Sequence, residues 1–190
     1  MKLWLLRHAP VQLAPGLCYG ASDVPADDAL SRRAAQMAAA ILPPGVPVWV
    51  SGLCRAQQLA TYLQSVRPDL APARVDTRLN EMNFGRWELQ PWGAVPRAEF
   101  DAWLADFANH RFGGVESTQG VLDRVAAVLA ELQASLGANG QAVWITHAGV
   151  IRAAQHIASC GANPIPTAGQ WPRWSPAPGE SMSLVIGGTG

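Results

Sequence analysis

The chain has 190 residues, 49% of them hydrophobic, and its 14 basic and 14 acidic side chains give a formal net charge of zero. This length is typical of a single domain with a substantial core, so we expect one domain over residues 1–190. With no net positive charge, the protein has no overall positive electrostatic potential that would attract nucleic acid. No apolar run reaches the roughly 20 residues of a membrane span, and the N-terminal sequence does not resemble a secretory signal. We therefore expect a cytoplasmic protein that binds neither nucleic acid nor membrane.

The first predicted strand ends at two basic side chains. Residues Leu3 to Leu6 are apolar and predict a buried parallel strand, which stops at Arg7 and His8 before the helix-breaking Pro10. In open α/β sheets, ligands bind at the C-terminal edge of the strands, where loops converge. Arg7 and His8 are therefore the first candidates for chemistry.

A loop rich in Gly, Pro and small residues follows and extends to Ala26. Long structured loops at this end of a strand usually shape a site or a lid. An amphipathic helix is then predicted, with its apolar face formed by Leu30, Ala34, Met37, Ala38 and Ile41, and it ends at Pro43 to Gly45. We interpret Asp23, Asp27 and Asp28 as a solvated, helix-capping cluster.

Two later segments repeat the pattern of a strand followed by a basic residue. The strand Val46–Val50 leads through Ser51 to Arg55 and a helix, and the strand Ala142–Thr146 leads to His147 and another helix. If the three strands are parallel neighbours, two histidines and two arginines line one pocket. Such a pocket suits a phosphate dianion, because arginine binds its oxygens bidentately and a neutral imidazole can attack phosphorus.

An acidic segment lies between these strands. A short strand is predicted around Ala73 to Thr77, and Glu81 follows it. A carboxylic acid beside arginines and histidines could donate the proton that a leaving oxygen requires. From the residues alone, a surface acid paired with Arg78 or Arg86 is the simpler interpretation of Glu81. Glu88 is interpreted as a residue that orients a neighbour.

The remaining elements complete a layered α/β fold. A helix over Val95 to Asn109 carries an aromatic face, and a strongly periodic helix from Val121 to Leu136 follows, with Ser117 as its cap. Residues 161–181 predict an irregular cover held down by Trp171 and Trp174, and Ser183–Ile186 predicts a strand at the sheet edge. We predict a three-layer α/β/α sandwich, in which a mostly parallel sheet has helices on both faces.

Cysteine chemistry and metal binding are not expected. The three cysteines form neither a disulfide framework nor a paired metal motif. Cysteine phosphatases have an arginine six positions after the cysteine, whereas this chain has Val24, Ala60 and Pro166 at that offset. His110 and His156 are interpreted as surface or helix residues, and the nine-residue spacing of His147 and His156 does not form a zinc pair.

Four of these segments together resemble a known family. The strand ending in Arg7-His8, the segment Ser51–Ala60, the segment Leu79–Glu88 and the segment Ile145–Arg152 are similar, in the same order, to those of the histidine phosphatase superfamily, the phosphoglycerate mutase-like proteins. Within it, the segments Gly16–Pro25 and Asn80–Glu88 most resemble the α-ribazole phosphatases of cobalamin biosynthesis. Many broad-specificity phosphatases share the same segments.

The resemblance implies a role for each matched residue. It implies that Arg7, Arg55 and His147 bind the phosphoryl group, that His8 is the nucleophile, and that Glu81 is the general acid and base. It further implies that the segment around 80–115 covers the site, in addition to the irregular cover at 161–181, and that the catalytic set is His8, Glu81 and His147. Substrate contacts are expected from Tyr19, Trp92 and Trp103, while an aromatic face of this kind is most often part of the core. The expected ligand is a small-molecule phosphate ester, with no metal and no cofactor, and a homodimer is left open.

Two departures from the family pattern leave alternatives open. Ala9 replaces the glycine that follows the nucleophile, and its methyl group would cost about 1 kcal/mol or more if the backbone there needs a positive φ. Val115 replaces the glycine of a Gly-Glu-Ser segment. A phosphomonoesterase is the first hypothesis, a phosphoglycerate mutase-type phosphoryl transfer is the second, and a non-catalytic phosphate-binding protein is the third.

Overall fold

The structure is a computed structural model that describes residues 1–162 and 167–187. Five strands and five α-helices form within these residues. The strands are β1 (Lys2–Arg7), β2 (Val48–Val50), β3 (Arg74–Val75), β4 (Gln141–Thr146) and β5 (Ser181–Val185). The helices are α1 (Asp28–Ala39), α2 (Cys54–Val66), α3 (Arg97–Ala105), α4 (Thr118–Leu136) and α5 (Ala148–Cys160).

The strands form one mostly parallel sheet in the order β3-β2-β4-β1-β5. Strand β4 pairs in parallel with β1 on one side and β2 on the other, with Arg7 opposite Thr146 and Val50 opposite Ile145. Strand β5 runs antiparallel to β1 at the edge. The C-terminal ends of β1, β2 and β4 therefore meet at one edge of the sheet, as the sequence predicts.

Helices cover both faces of the sheet, which confirms the three-layer prediction. On one face, α1 and α2 pack on side chains such as Leu6, Val50 and Ile145. On the other face, α4 and α5 pack on Leu3, Leu5 and Trp144. Strands covered on both faces are apolar on both, which explains the nearly continuous apolar runs in the sequence.

Acidic and hydroxyl side chains cap the helices as expected. The Asp27 side chain accepts from the backbone N–H of Leu30 at the start of α1, and Ser117 accepts from Gly120 at the start of α4. Exposed Asp23 accepts from the backbone N–H of Cys54, 2.7 Å away, at the start of α2. The aspartates after β1 therefore stabilise two different helix N-termini.

The face that α1 buries differs from the predicted one. Leu30, Met37 and Ile41 are about half exposed, and Ile41 lies beyond the end of the helix. The helix instead buries small side chains, namely Ser31, Ala34, Ala35 and Ala38. Small residues let α1 lie close to α2, and this close approach leaves the larger apolar side chains at the rim.

Helix α3 is shorter than the predicted helix from Val95 to Asn109. It begins after Pro96 and ends at Ala105, so Phe107 lies beyond it, and Leu104 is exposed rather than part of the core. The last strand begins two residues earlier than predicted, because Ser181 already pairs with Leu6. Both differences lie at element ends, which periodicity defines poorly.

The segment 80–115 covers the C-terminal edge of the sheet. It contains three 3₁₀ turns, at Gly85–Trp87, Trp92–Ala94 and Phe112–Gly114, in addition to α3. Backbone hydrogen bonds tie its centre to the loop after β1, from Cys18 to Gln90 and from Trp92 to Gly16. The cover and the loop therefore form one wall.

The second predicted cover, residues 161–181, is described except for 163–166, which lie outside the described residues. Trp171 packs on Phe107 with ring centroids 6.0 Å apart, as predicted. Trp174 is exposed, so the prediction that it packs the cover down is wrong. No helix in the described part of the chain is both long and apolar enough to span a membrane.

Candidate active site

The strand ends bring together the residues that the sequence singled out. The backbone N–H of His8 donates to Thr146, and that of Ser51 donates to Ile145, so the chain after β1 and after β2 stays anchored to β4. The His8 and His147 rings lie with their centroids 5.0 Å apart. The expected pairing of two histidines at one sheet edge is thus present.

The protonation of His8 follows from its surroundings. The side chain is 2% exposed, and Nδ1 lies 2.7 Å from the carbonyl oxygen of Ala9. A carbonyl only accepts, so Nδ1 carries the proton and Nε2 carries a lone pair. Burial, together with the positive charge of Arg55, lowers the pKa of His8 to about 3. The ring is therefore neutral at pH 7, in the form that a nucleophile needs.

Two arginines lie beside His8 without a carboxylate partner among the described residues. Arg7 donates through Nη1 to the carbonyl of Pro176, 2.9 Å away. Arg55 is completely buried, and it donates to the carbonyls of Ser22 at 2.7 Å and Gly20 at 2.5 Å. Burial lowers the pKa of both guanidinium groups from its usual value, but arginine stays protonated at neutral pH. Arg55 also holds the loop after β1 in place.

His147 is completely buried and bonds to a neighbouring segment. Its Nε2 lies 2.7 Å from the hydroxyl oxygen of Ser51, and Nδ1 has no hydrogen-bond partner among the described residues. Burial, together with the positive charge of Arg55, lowers its pKa well below the usual value. His147 and Arg55 adjoin His8 but do not line the open cavity described below.

Glu81, in the cover segment, also lies at this edge of the sheet beside His8. Its carboxylate accepts from the backbone N–H of Gly149, near the start of α5, at 3.0 Å and from Met82 at 3.0 Å. It bonds to neither Arg78 nor Arg86, whose ion pairs go to Asp76, Glu131 and Glu99. The surface-pair interpretation of Glu81 is therefore wrong, and its carboxylate lines the cavity with His8.

A cavity of about 220 Å³ opens at this sheet edge. Its polar end contains Arg7, His8, Glu81 and Arg152, and Tyr19 lies on its wall. The aromatic residues around the rest of the cavity are Phe84, Trp92, Trp103, Phe107 and Trp171. Tyr19, Trp92 and Trp103, which the sequence analysis names as substrate contacts, therefore all line this one cavity.

The aromatic side chains around the cavity, here called the aromatic wall, pack against one another. Trp103 stacks on Phe107 with ring centroids 5.2 Å apart, and it lies 4.8 Å from buried Phe112. Phe84 meets Trp92 edge to face at 5.4 Å. Such contacts fix large rings at little further entropic cost, so the wall is preformed.

Glu88 connects the loop after β1 to the cover segment. Its carboxylate accepts from the backbone N–H groups of Ala21 and Phe84, each at 2.9 Å, and from the Ser22 hydroxyl at 2.6 Å. A side chain at Gly20 would collide with the Met82 carbonyl and with Glu88. The prediction that Glu88 orients its neighbours agrees with these contacts.

Thiol chemistry has no support at this site. Burial raises the pKa of Cys18 to about 12, and burial together with Asp23 raises the pKa of Cys54 to about 11, so neither is a thiolate at neutral pH. Within residues 1–162 and 167–187, no cluster of three or more His, Cys, Asp or Glu side chains could hold a metal ion.

Comparison with known proteins identifies the family. The model of the histidine phosphatase superfamily (branch 1) matches residues 3–182. The chain belongs to this superfamily. No curated protein sequence matches it significantly.

Solved structures of similar proteins agree with this family. A mycobacterial glucosyl-3-phosphoglycerate phosphatase in complex with VO3 is 25% identical, with a TM-score of 0.79 over 96% of this chain and 90% of that one. "Mycobacterial hydrolase 2" is 28% identical, with a TM-score of 0.70 over 88% of this chain and 78% of that one. The protein TTHB049 from Thermus thermophilus is 26% identical, with a TM-score of 0.68 over 97% of this chain and 93% of that one.

Ala9, which replaces the glycine that the family has after the nucleophile, causes no backbone strain. Leu89 is the one non-glycine residue with a positive φ among the described residues, so Ala9 does not have one. The methyl group is completely buried. The cost foreseen for a positive φ therefore does not arise.

Sequence reasoning missed Arg152 as a residue of the cavity. Its Nη2 lies 3.4 Å from the carbonyl of Arg173, and its Nε is buried without a hydrogen-bond partner in the described part of the chain. Arg152 follows Gly149 by three residues on α5, a spacing that places both on one helix face. That spacing from the segment His147–Gly149 is the signal that could have identified it.

Proposed function

We propose that the protein is a phosphomonoesterase that hydrolyses small phosphate esters through a phosphohistidine on His8, with no metal ion or cofactor. The observation that carries this proposal is the state of His8, whose Nδ1–H is held by the Ala9 carbonyl and whose pKa is lowered to about 3. Its Nε2 lone pair is thus available at neutral pH on a cavity that it shares with Arg7 and Glu81.

The first half of the reaction transfers the phosphoryl group to the histidine. His8 Nε2 attacks phosphorus in line, the bond between phosphorus and the ester oxygen breaks, and Glu81 gives its proton to the departing alcohol. Arg7 and Arg55 stabilise the negative charge spread over the phosphoryl oxygens, and His147 hydrogen-bonds to one of them. Catalysis is mainly positioning and charge stabilisation of a loose transition state.

The second half regenerates the enzyme. A water molecule attacks the phosphohistidine and gives a proton to the Glu81 carboxylate, the bond between nitrogen and phosphorus breaks, and inorganic phosphate leaves. The Glu81 carboxyl group is then protonated for the next cycle, and His8 Nε2 recovers its lone pair. Because Gly149 and Met82 hold this carboxylate, it occupies one position in both halves.

The similar structures support phosphoryl chemistry at this site. The mycobacterial phosphatase to which the chain is similar has been solved with VO3 and with inorganic phosphate. Both are small anions that resemble a phosphoryl group. The family and its phosphatase members thus favour hydrolysis of phosphate esters in general.

For the substrate, we propose α-ribazole 5′-phosphate, which would place the protein in cobalamin biosynthesis in the cytoplasm. Support comes from the resemblance of the segments Gly16–Pro25 and Asn80–Glu88 and from the aromatic wall, because a planar heteroaromatic base stacks on such rings. Glucosyl-3-phosphoglycerate, named for the mycobacterial neighbour, is the substrate to compare with it.

The test is phosphate release in EDTA from four esters: α-ribazole 5′-phosphate, glucosyl-3-phosphoglycerate, 3-phosphoglycerate and p-nitrophenyl phosphate. We expect turnover that His8→Ala abolishes and His110→Ala, outside the cavity, leaves intact. An acid-labile phosphoprotein should form in the native protein and not in His8→Ala. Transfer of the phosphoryl group to a second phosphoglycerate without net release would indicate the mutase instead. Binding of phosphate with no turnover of any ester would indicate a phosphate-binding protein.

A further inference from the structure

The histidine at the end of β4 is held by a short chain of hydrogen bonds. His147 Nε2 lies 2.7 Å from Ser51 Oγ, and Ser51 Oγ lies 2.9 Å from Asn80 Oδ1. The backbone N–H of Leu53 also donates to Ser51 Oγ, at 3.1 Å. These hydrogen bonds join the ends of β4 and β2 to Asn80, the residue immediately before Glu81.

The position of each proton in this chain can be assigned. The backbone N–H of Gly52 lies 2.7 Å from the Asn80 side chain and can only donate, so the Asn80 atom it meets is the oxygen. The Ser51 hydroxyl must donate its single hydrogen to that oxygen, because two oxygens 2.9 Å apart with no hydrogen between them repel each other. Ser51 Oγ can therefore only accept from His147, and Nε2 of His147 carries the proton.

This assignment leaves His147 Nδ1 as an acceptor. The ring is neutral, because burial and the positive charge of Arg55 lower its pKa well below the usual value. With the proton on Nε2, Nδ1 carries a lone pair, and it is buried without a hydrogen-bond partner in residues 1–162 and 167–187. The lone pair of an unprotonated Nδ1 repels the lone pairs of an unprotonated phosphate oxygen. His147 Nδ1 and a phosphate dianion therefore cannot form a hydrogen bond unless one further proton is taken up.

We propose that Ser51 and Asn80 are positioning residues that hold His147 as its Nε2–H tautomer, so that Nδ1 accepts a hydrogen bond from a protonated oxygen of the bound phosphoryl group. The inference deepens the proposed function, in that it takes His147 as a phosphoryl ligand. It implies that the site binds phosphate as the monoanion, with one proton shared between Nδ1 and an oxygen.

A pH dependence follows, and the groups around His147 define it. They are Arg7 at the end of β1 with His8 next to it, Arg55 on α2, Arg124 on α4, and Glu81 against α5. The arginines stay charged, and the pKa of His8 is about 3, so above neutral pH neither type of group changes its charge. Above the second pKa of phosphate, the affinity should therefore fall about tenfold per pH unit, because each binding event takes up one proton. The same measurement in Glu81→Gln excludes a contribution from that carboxylate.

The first experiment reads the tautomer in the unliganded protein. In a nitrogen-15 correlation spectrum, Nε2 couples to both carbon-bound ring protons and Nδ1 to one, so the spectrum shows which nitrogen is protonated. Signals of His147 are assigned by their loss in His147→Asn. We expect a protonated Nε2 and a bare Nδ1, and a protonated Nδ1 would overturn the proposal. This readout needs no turnover, so it is independent of whether the protein hydrolyses esters.

The second experiment uses variants and inorganic phosphate as the probe. Asn80→Ala frees the Ser51 hydroxyl to donate to Nε2, so the ring should change to its Nδ1–H form and bind the phosphate dianion without proton uptake. Ser51→Thr keeps the hydroxyl and should keep the native spectrum. Calorimetry in two buffers of different ionisation enthalpy measures the proton uptake. Above the second pKa of phosphate, where the free ligand is the dianion, the native protein should take up about one proton.

The outcomes separate the two proposals. Native binding with no proton uptake would refute the role of Nδ1, even if esters are hydrolysed. Proton uptake with no hydrolysis would keep the positioning network and refute the phosphatase. If Asn80→Ala does not fold, Asn80→Asp accepts both hydrogen bonds and should retain the native tautomer, and the native spectrum remains decisive.

Discussion

The Glu81 carboxylate lies against the backbone of Gly149, which donates a hydrogen bond to it at 3.0 Å, and it fills the space that a side chain at position 149 would need. We expect Gly149→Ala to displace the carboxylate from the cavity and to lower kcat by up to about 100-fold, the lower end of the usual contribution of a general acid. The measurement is steady-state turnover of p-nitrophenyl phosphate.

A matched control exists in Gly120→Ala. Gly120 lies in the first turn of α4, as Gly149 does in α5, and a methyl group there meets its neighbours at an ordinary 3.6 Å. This variant should keep its activity. Equal activity of Gly149→Ala and the native protein would show that the position of Glu81 does not matter for turnover.

Ala9 provides a second prediction, which concerns the family glycine. Because Ala9 has no positive φ and its methyl group is completely buried, Ala9→Gly should gain no activity. It should lose about 1 kcal/mol in the free energy of unfolding, since glycine has more freedom in the unfolded chain. Urea unfolding and phosphate release measure the two effects. A large gain in turnover would instead mean that the alanine suppresses catalysis and would favour a phosphate-binding role for the native protein.

The strand ends were predictable because each apolar run stops abruptly at a polar residue. The buried runs before Arg7, Ser51 and His147 needed only the rule that parallel strands present their C-terminal ends at one edge. The bonds between these ends were not predictable from the sequence. Ser51 and Asn80 are 29 residues apart, and a hydrogen bond over that separation depends on how the cover segment folds back.

The cover segment shows the same limit. Its aromatic residues were evident, but α3 ends at Ala105, so Phe107 leaves the helical register and still joins the wall through Trp103. Periodicity assigns a face only while a helix continues. The three 3₁₀ turns of this segment have no such period, and therefore the side of the cavity that each ring occupies follows from packing alone.

A third prediction concerns stability at acidic pH. The pKa of His8 is about 3 in the folded protein and that of His147 is also well below the usual value, so the unfolded chain binds more protons below pH 6.5. Stability should therefore be complete above about pH 6.5 and should fall as the pH decreases towards 3, by about 1.4 kcal/mol per pH unit for each histidine. Urea unfolding from pH 7.5 to 5 measures this slope.

Variants show how much of the pH dependence of the unfolding free energy comes from His8 and how much from His147. His8→Asn should remove about half of it, and the double variant with His147→Asn should remove most of the rest. An unchanged slope in the double variant would mean that carboxylates, and not these histidines, determine the acid sensitivity.

The last prediction concerns Arg152, the additional cation of the cavity. Among the described residues, Arg67, Arg78 and Arg124 are also partly buried, but each pairs with a carboxylate, whereas Arg7, Arg55 and Arg152 do not. An arginine without a carboxylate in a cavity is available to an anionic ligand. We expect Arg152→Gln to raise the Kd of vanadate by about tenfold, which corresponds to about 1.4 kcal/mol. Exposed Arg33→Gln on α1 is the control.

Substrate comparison shows which part of the ligand Arg152 contacts. If it binds the phosphoryl group, Arg152→Gln should lower kcat/KM for p-nitrophenyl phosphate and 3-phosphoglycerate by the same factor. A larger loss for 3-phosphoglycerate would place Arg152 at the carboxylate of the leaving group, because p-nitrophenyl phosphate has none. Unchanged vanadate affinity and unchanged kcat/KM for both esters would contradict a role in ligand binding, and Arg152 would then serve only to hold the carbonyl of Arg173.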